Sequence, residues 1–230
     1  MKGGTTTIEP GRPIGRPRAV PKELVGDVRE EILAVAAALF ERDGYTATST
    51  RAIGLAVGLR QASLFHYFAR KEDILTELLD QTLRPTLAFV RRFSLHDLDA
   101  DLALWLLTRE DVTNLCRGPY NIGALQLLPE VRGPQFQWFW RRRRQLFNEY
   151  ATLISRGVSS GSLPSAEPAT TTDLVFGLVE SVITARPSLR TRGTTPTVIA
   201  DGALRLCGVR PPRVRAMADV ASRRAPTPLD

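Results

Sequence analysis

The sequence predicts an all-α protein, with a small helical unit near the N-terminus and a larger helical bundle behind it. Three observations carry this. Apolar residues recur at steps of three and four along most of the chain, beginning with Val28, Ile32, Val35 and Leu39. Glycines and short polar residues punctuate those runs where helices stop and start. No stretch alternates apolar and polar residues as a half-buried strand does, and no internal repeat is visible.

The elements follow in order. Residues 1–24 hold Gly11-Arg12-Pro13 and Gly15-Arg16-Pro17, whose glycines and prolines oppose helix, so they are expected to form a disordered basic arm. Asp27 is a suitable N-cap for a first helix that Gly44 ends. Thr48 and Ser49 both offer caps for a short second helix carrying Ile53, Ala56 and Val57, and Gly58 breaks it. A third short helix runs from about Arg60 to Phe68, with Leu64 and Phe68 on one face. A fourth follows Lys71, where Ile74, Leu75, Leu78 and Leu79 form a broad apolar stripe. Further helices are expected over 99–108, 119–128, from Pro134 to near Gly157, over 171–185 and over 196–207. Residues 209–230, rich in Pro and Arg, are expected to be a disordered basic tail. The domain plan is an arm at 1–24, a small unit at 25–70, a bundle at 71–208 and the tail.

Composition narrows the function. The chain has 230 residues and a net charge of +7, and residues 1–24 and 209–230 each contribute +3. Two basic ends on a near-neutral body point to a polyanionic partner. Two cysteines, Cys116 and Cys207, and two histidines make neither a disulfide framework nor a zinc site. A reducing, cytoplasmic compartment is expected, with no metal, cofactor, membrane span or secretory signal. Nothing resembles a catalytic triad or a phosphate-cradling glycine loop, so no catalytic residue is expected.

Residues 47–71 contain Arg51, Arg60, Arg70 and Lys71 and no acidic residue. A surface that meets phosphates needs this, because each carboxylate would repel the backbone. Two short helices joined at Gly58-Leu59 match a helix-turn-helix, whose second helix enters the major groove. With Leu64 and Phe68 inward, Ala62, Ser63 and His66 face outward, and Arg60 and Gln61 sit at the leading end. Arg can read guanine and Gln adenine, and Ala62 is small enough to admit a base edge. Tyr67 and Lys71 flank this face, where phosphates would run.

The stretch Ile32, Ala36-Ala37, Leu39-Phe40, Gly44-Tyr45, Thr48-Ser49, Ile53, Gly58, Leu64-Phe65-His66-Tyr67-Phe68, Lys71-Glu72 and Leu75 resembles the DNA-binding domain of the TetR family of transcriptional regulators. The resemblance implies a three-helix reading head for double-stranded DNA, a homodimer, and a C-terminal bundle that often binds a small-molecule effector. By position it makes Thr48, with Ser49 beside it, a helix-cap phosphate contact. It makes Arg60, Gln61, Ala62 and Ser63 base or backbone contacts, and Tyr67 and Lys71 phosphate contacts. Phe65 stands where the family commonly has tyrosine, Arg60 where a small polar cap is common, and Gly54 where alanine is usual. The implied function is a ligand-responsive repressor on a pseudopalindromic operator. The alternative is a nonspecific architectural DNA-binding protein.

Two further expectations concern the flanks. Arg12, Arg16 and Arg18 suit a minor-groove arm, because arginine is drawn to the potential of narrow A·T-rich grooves; plain electrostatic anchoring is the other reading. In the bundle, Phe136, Phe139, Trp140, Phe147, Tyr150 and Ile154 form an apolar stripe with Arg143 near its centre. Either Arg143 pairs with Glu130 or Glu180, since a buried charge needs a partner, or it meets an anionic effector in a cavity lined by Trp105, Phe136 and Phe139.

Overall fold

A computed structural model describes residues 27–164, 167–186 and 193–224. Among these residues the chain is helical throughout, with no strand. Helix α1 (Val28–Asp43) starts at Asp27, whose carboxylate accepts from the Arg29 N–H, and buries Ile32, Leu33, Ala36 and Phe40. Gly44, at φ 84°, ends it, and the Tyr45 ring then packs edge-on against Phe40 at 5.1 Å. Helices α2 (Thr50–Val57) and α3 (Gln61–Phe65) follow, joined through Gly58 in the left-handed region at φ 83°. Helix α4 (Lys71–Arg92) packs against α1 at one end and against α5 (Ala100–Cys116) and α6 (Gln137–Ser160) further along. Helix α4, which begins just after the expected boundary at residue 70, thus packs on both the small unit and the bundle.

Helix α5 is the axis of the bundle. Leu102, Ala103, Leu104, Trp105, Leu107 and Val112 are all buried, so apolar residues cover nearly its whole circumference. It is enclosed by α4, α6, α7 (Pro168–Ala185) and α8 (Thr195–Leu206). Such a helix must be surrounded, which is why it sits in the middle.

Three expectations are corrected here. Residues 119–128 do not form an α-helix: a 3-10 helix spans Ile122–Leu127, followed by short 3-10 turns at Pro129–Arg132 and Pro134–Phe136. Pro134 opens the last of these turns rather than the long helix, which begins at Gln137 and runs past Gly157 to Ser160. Residues 209–230 are not a disordered tail over most of their length, because Pro211–Arg224 form α9. Val214 and Met217 of α9 are buried, and Arg213 reaches the fully buried Asp101 at the start of α5. The expected arm, with Arg12, Arg16 and Arg18, lies outside the described residues.

Candidate nucleic-acid interface

The second and third helices are held by short-range chemistry. Ser49 Oγ accepts from the Ala52 N–H at 3.1 Å and caps α2. The Leu59 N–H donates to the Gly54 carbonyl at 2.8 Å, which folds the turn tightly onto α2. A Cβ at Gly54 would lie 3.3 Å from the Leu59 carbonyl oxygen. Glycine here has a packing reason to set against its helix-propensity cost of about 1 kcal/mol. Beneath the turn, Ile53, Val57, Leu64 and Phe68 are buried. The Arg29 guanidinium lies over the Phe68 ring at 4.5 Å and pairs with Glu77, tying α1, the end of α3 and α4 together.

The outer face of α3 is open. Arg60, Gln61, Ala62 and His66 are exposed, and Ser63 is half-buried. Arg60 occupies the N-cap position with no side-chain cap bond, so its guanidinium is not consumed by the helix. Gln61 Nε2 is 3.4 Å from Thr50 Oγ1, a weak contact that orients the amide across the leading ends of α2 and α3. Phe65 and Tyr67 are both more than two-fifths exposed, and the bulky Leu55 projects outward from α2. The residues from Thr46 to Lys71 thus present cations, amides and rings outward, with no carboxylate among them.

Two residues expected to touch phosphate are employed elsewhere. Thr48 is buried, and its hydroxyl donates to the Gly44 carbonyl at 2.8 Å and also approaches that of Leu39. It closes the α1–α2 loop, while the cap belongs to its neighbour Ser49. Lys71 Nζ donates to the carbonyls of Tyr45 and Thr48, both at 2.8 Å, and sits 4.1 Å from the centre of the Tyr45 ring. The Tyr45 carbonyl also accepts from the Thr48 N–H at 3.2 Å, so the ammonium at the start of α4 reinforces a loop that this bond already closes. Local sequence held no signal for the Lys71 role, since its partners lie 23 and 26 residues upstream, whereas the Thr48 partner Gly44 is four residues away.

A contact that sequence reasoning missed joins this loop to the bundle. Thr46 Oγ1 donates to Glu130 Oε1 at 2.5 Å. That bond, with the nearby Lys71 charge, holds the Glu130 carboxyl below its ordinary pKa. Glu130 is therefore not the partner of Arg143. Arg143 pairs with Glu180, with Nε to Oε1 at 2.9 Å, and lies between the rings of Trp140 and Phe176. Phe139 and Arg143 border a space of about 20 Å3, room for one water, which Trp105 and Phe136 do not line. Trp105 instead donates its indole N–H to Asp201 at 2.9 Å.

The arrangement of α1–α3 matches the family model described as bacterial regulatory proteins, tetR family, over residues 32–78. The solved structure of Mycobacterium smegmatis AmtR is 39% identical and superposes with a TM-score of 0.78, covering 91% of this chain and 100% of that one. The chain belongs to the TetR family. It is a DNA-binding transcriptional regulator with a helix-turn-helix head and a helical C-terminal domain. The repressor KstR2 of Mycobacterium tuberculosis is 27% identical over 160 residues, 67% of this chain and 77% of that protein. AibR, solved in complex with isovaleryl coenzyme A and operator DNA, shares the fold with a TM-score of 0.61 at 20% identity, over 77% of this chain and 96% of that one. Among the described residues no helix is long and apolar enough to cross a membrane, and no group of side chains could hold a metal ion.

Proposed function

We propose that this TetR-family chain is an effector-responsive repressor that binds a pseudopalindromic operator as a homodimer. The observation that carries the DNA-reading part is the outer face of α3. Arg60, Gln61, Ala62, Ser63 and His66 stand on a head whose interior is fully packed, beside Ser49 at the α2 N-terminus. Arg60 and Gln61 offer base-edge donors, and Ala62 leaves room for a thymine methyl. Ser49 and Tyr67 are the phosphate contacts on this reading, with the positive end of α2 behind Ser49. Repression on this reading needs only that a dimer lying across a promoter obstruct the polymerase. Repression is supported by the likeness to the repressor KstR2, and response to a small molecule by the shared fold with AibR, which was solved with isovaleryl coenzyme A.

The dimer surface on this reading is the outward face of α7 and α8. Leu174 and Val198 are more than half exposed, Leu206 is nearly so, and a Cβ at Gly177 would meet nothing. Two copies of this helix pair form a four-helix interface across a twofold axis. A cytoplasmic, non-enzymatic role fits the same picture.

Selection of bound DNA from a random pool, followed by mobility shifts, tests the proposal. The expected result is a two-half-site consensus preferred over random duplex by ~10³-fold or more. Equal affinity for all duplexes would replace this reading with the architectural one, which no feature of the structure favours.

A further inference from the structure

Between the reading head and the bundle lies a pocket of about 330 Å3, the size of a small-ligand site. Its walls come from three places: Leu33, Ala34 and Ala37 on α1, the middle of α4, and the loop that follows α5 around Tyr120. It lies outside the bundle core.

The α4 wall is where that helix is interrupted. Pro85 sits inside α4 and has no N–H to offer the carbonyl four residues back. That carbonyl belongs to Gln81, and the Asn114 side chain takes the place of the missing donor. Its Nδ2 donates to Gln81 O at 3.2 Å and to Thr82 O at 2.8 Å. Gln81, Pro85 and Asn114 all line the pocket. The broken rung of the helix that joins head to bundle is thus repaired by a side chain from the opposite wall, at the pocket surface.

Charge at the pocket is uneven. Arg84 is engaged by Glu77 and Asp80. Arg117, exposed at the end of α5, has no ion-pair partner among the described residues, and Glu30 on the α1 side carries the opposing charge. The remaining lining is mainly apolar.

We propose that this pocket binds an anionic amphipathic small molecule, its acid group on Arg117 and its apolar body against α1 and Pro85, and that occupancy re-sets α4 at Pro85 and lowers operator affinity. The coupling rests on the regulator reading above; the binding does not. A ligand here touches the head directly through α1 and the bundle through α4 and the loop after α5, so any shift of one against the other changes its contacts.

The probe is 8-anilinonaphthalene-1-sulfonate, titrated by fluorescence into the full-length protein, with octanoate and octanamide as competitors. Saturable binding of one probe per protomer is expected, displaced by octanoate and not by octanamide. Arg117→Gln should weaken it about tenfold, the worth of one charge-assisted hydrogen bond. Glu30→Gln should tighten it, and Ala34→Phe should remove it by filling the space. Thermal melting of each variant, matched to the parent, ties any loss to the pocket. Absent binding, or affinity indifferent to Arg117→Gln and Ala34→Phe, overturns the site. Equal competition by octanamide overturns the anionic ligand. Operator affinity is measured separately by mobility shift, with and without saturating octanoate. A drop is expected. Unchanged affinity overturns the coupling alone, and failure to bind any operator without octanoate sinks the regulator reading instead.

Discussion

The reading head and the bundle solve the same packing problem with different materials. In the head the interior is almost wholly apolar, from Ile32 and Phe40 through Ile53, Leu64 and Phe68 to Ile74, while the cations stand outside. The bundle takes ionisable groups inside. Asp101 and Asp111 are buried, Arg186 is buried with its guanidinium on the carbonyls of Leu115 and Arg117, and the half-buried Arg143 meets Glu180 between two rings. An apolar interior fixes one geometry and leaves the surface free to read DNA. Buried polar groups instead demand partners, so they make the bundle sensitive to anything that competes for those partners. The two outward faces differ in the same way. The α2–α3 face is cationic and suits a polyanion, and the α7–α8 face is apolar and suits a second copy.

The largest expected effect comes from putting a charge on the apolar face. Leu174→Glu should convert the dimer to monomers by sedimentation and cut operator affinity by ~10²–10⁴-fold, the avidity a linked second half-site supplies. A dimer that survives with intact operator binding would place the interface elsewhere.

Arg213→Ala tests the buried charge of the bundle. Asp101 is fully buried and keeps only the Leu102 N–H when Arg213 is removed. The half-exposed guanidinium limits the loss, which should be about 2 kcal/mol in urea unfolding. No change would show that the Arg213–Asp101 pair does not hold α9 to the bundle.

Lys71→Ala separates a structural lysine from a phosphate contact. With Nζ on two carbonyls, its loss should lower the melting temperature of the head while the salt dependence of DNA binding keeps its slope. A slope flattened by about one unit with unchanged melting would restore the phosphate role.

The last effect is a pH dependence. Burial raises the Asp111 carboxyl to about 7, against the pull of hydrogen bonds from Tyr150 and Thr86 and with help from Glu180 and Glu110. The folded state therefore holds this proton across a range where the unfolded chain has lost it. Its contribution to stability is fully present below the ordinary Asp pKa of about 4 and is lost as pH rises toward 7. Asp111→Asn should flatten that slope between those limits. Parallel curves for parent and variant by urea unfolding would remove Asp111 as the cause.

Much of the head was legible because its determinants are local. Gly44, Gly58 and the steps from Val28 to Leu39 act within one or two turns, and periodicity reads them. The choice between Thr48 and Ser49 as cap was not legible, because two adjacent hydroxyls satisfy the same rule and only packing sends Thr48 inward. Helix α9 was hidden by its composition. Its prolines and arginines look like a solvated tail, and the residue that anchors Arg213 is 112 positions away. The surroundings of Phe139 and Arg143 were hidden for a related reason, since a stripe of large side chains predicts a wall and says nothing of what fills the space beside it. The pairing of Arg143 with Glu180 was among the readable alternatives, since a buried charge requires an opposite one.

The central claim is that the exposed residues at the leading end of α3 read bases. Random-pool selection with the parent protein and with Gln61→Ala tests it most directly. The account predicts that the variant keeps the two-half-site architecture and loses preference at one symmetry-related base pair, by ~1–3 kcal/mol. The same consensus with a uniform fall in affinity across all sites would contradict it.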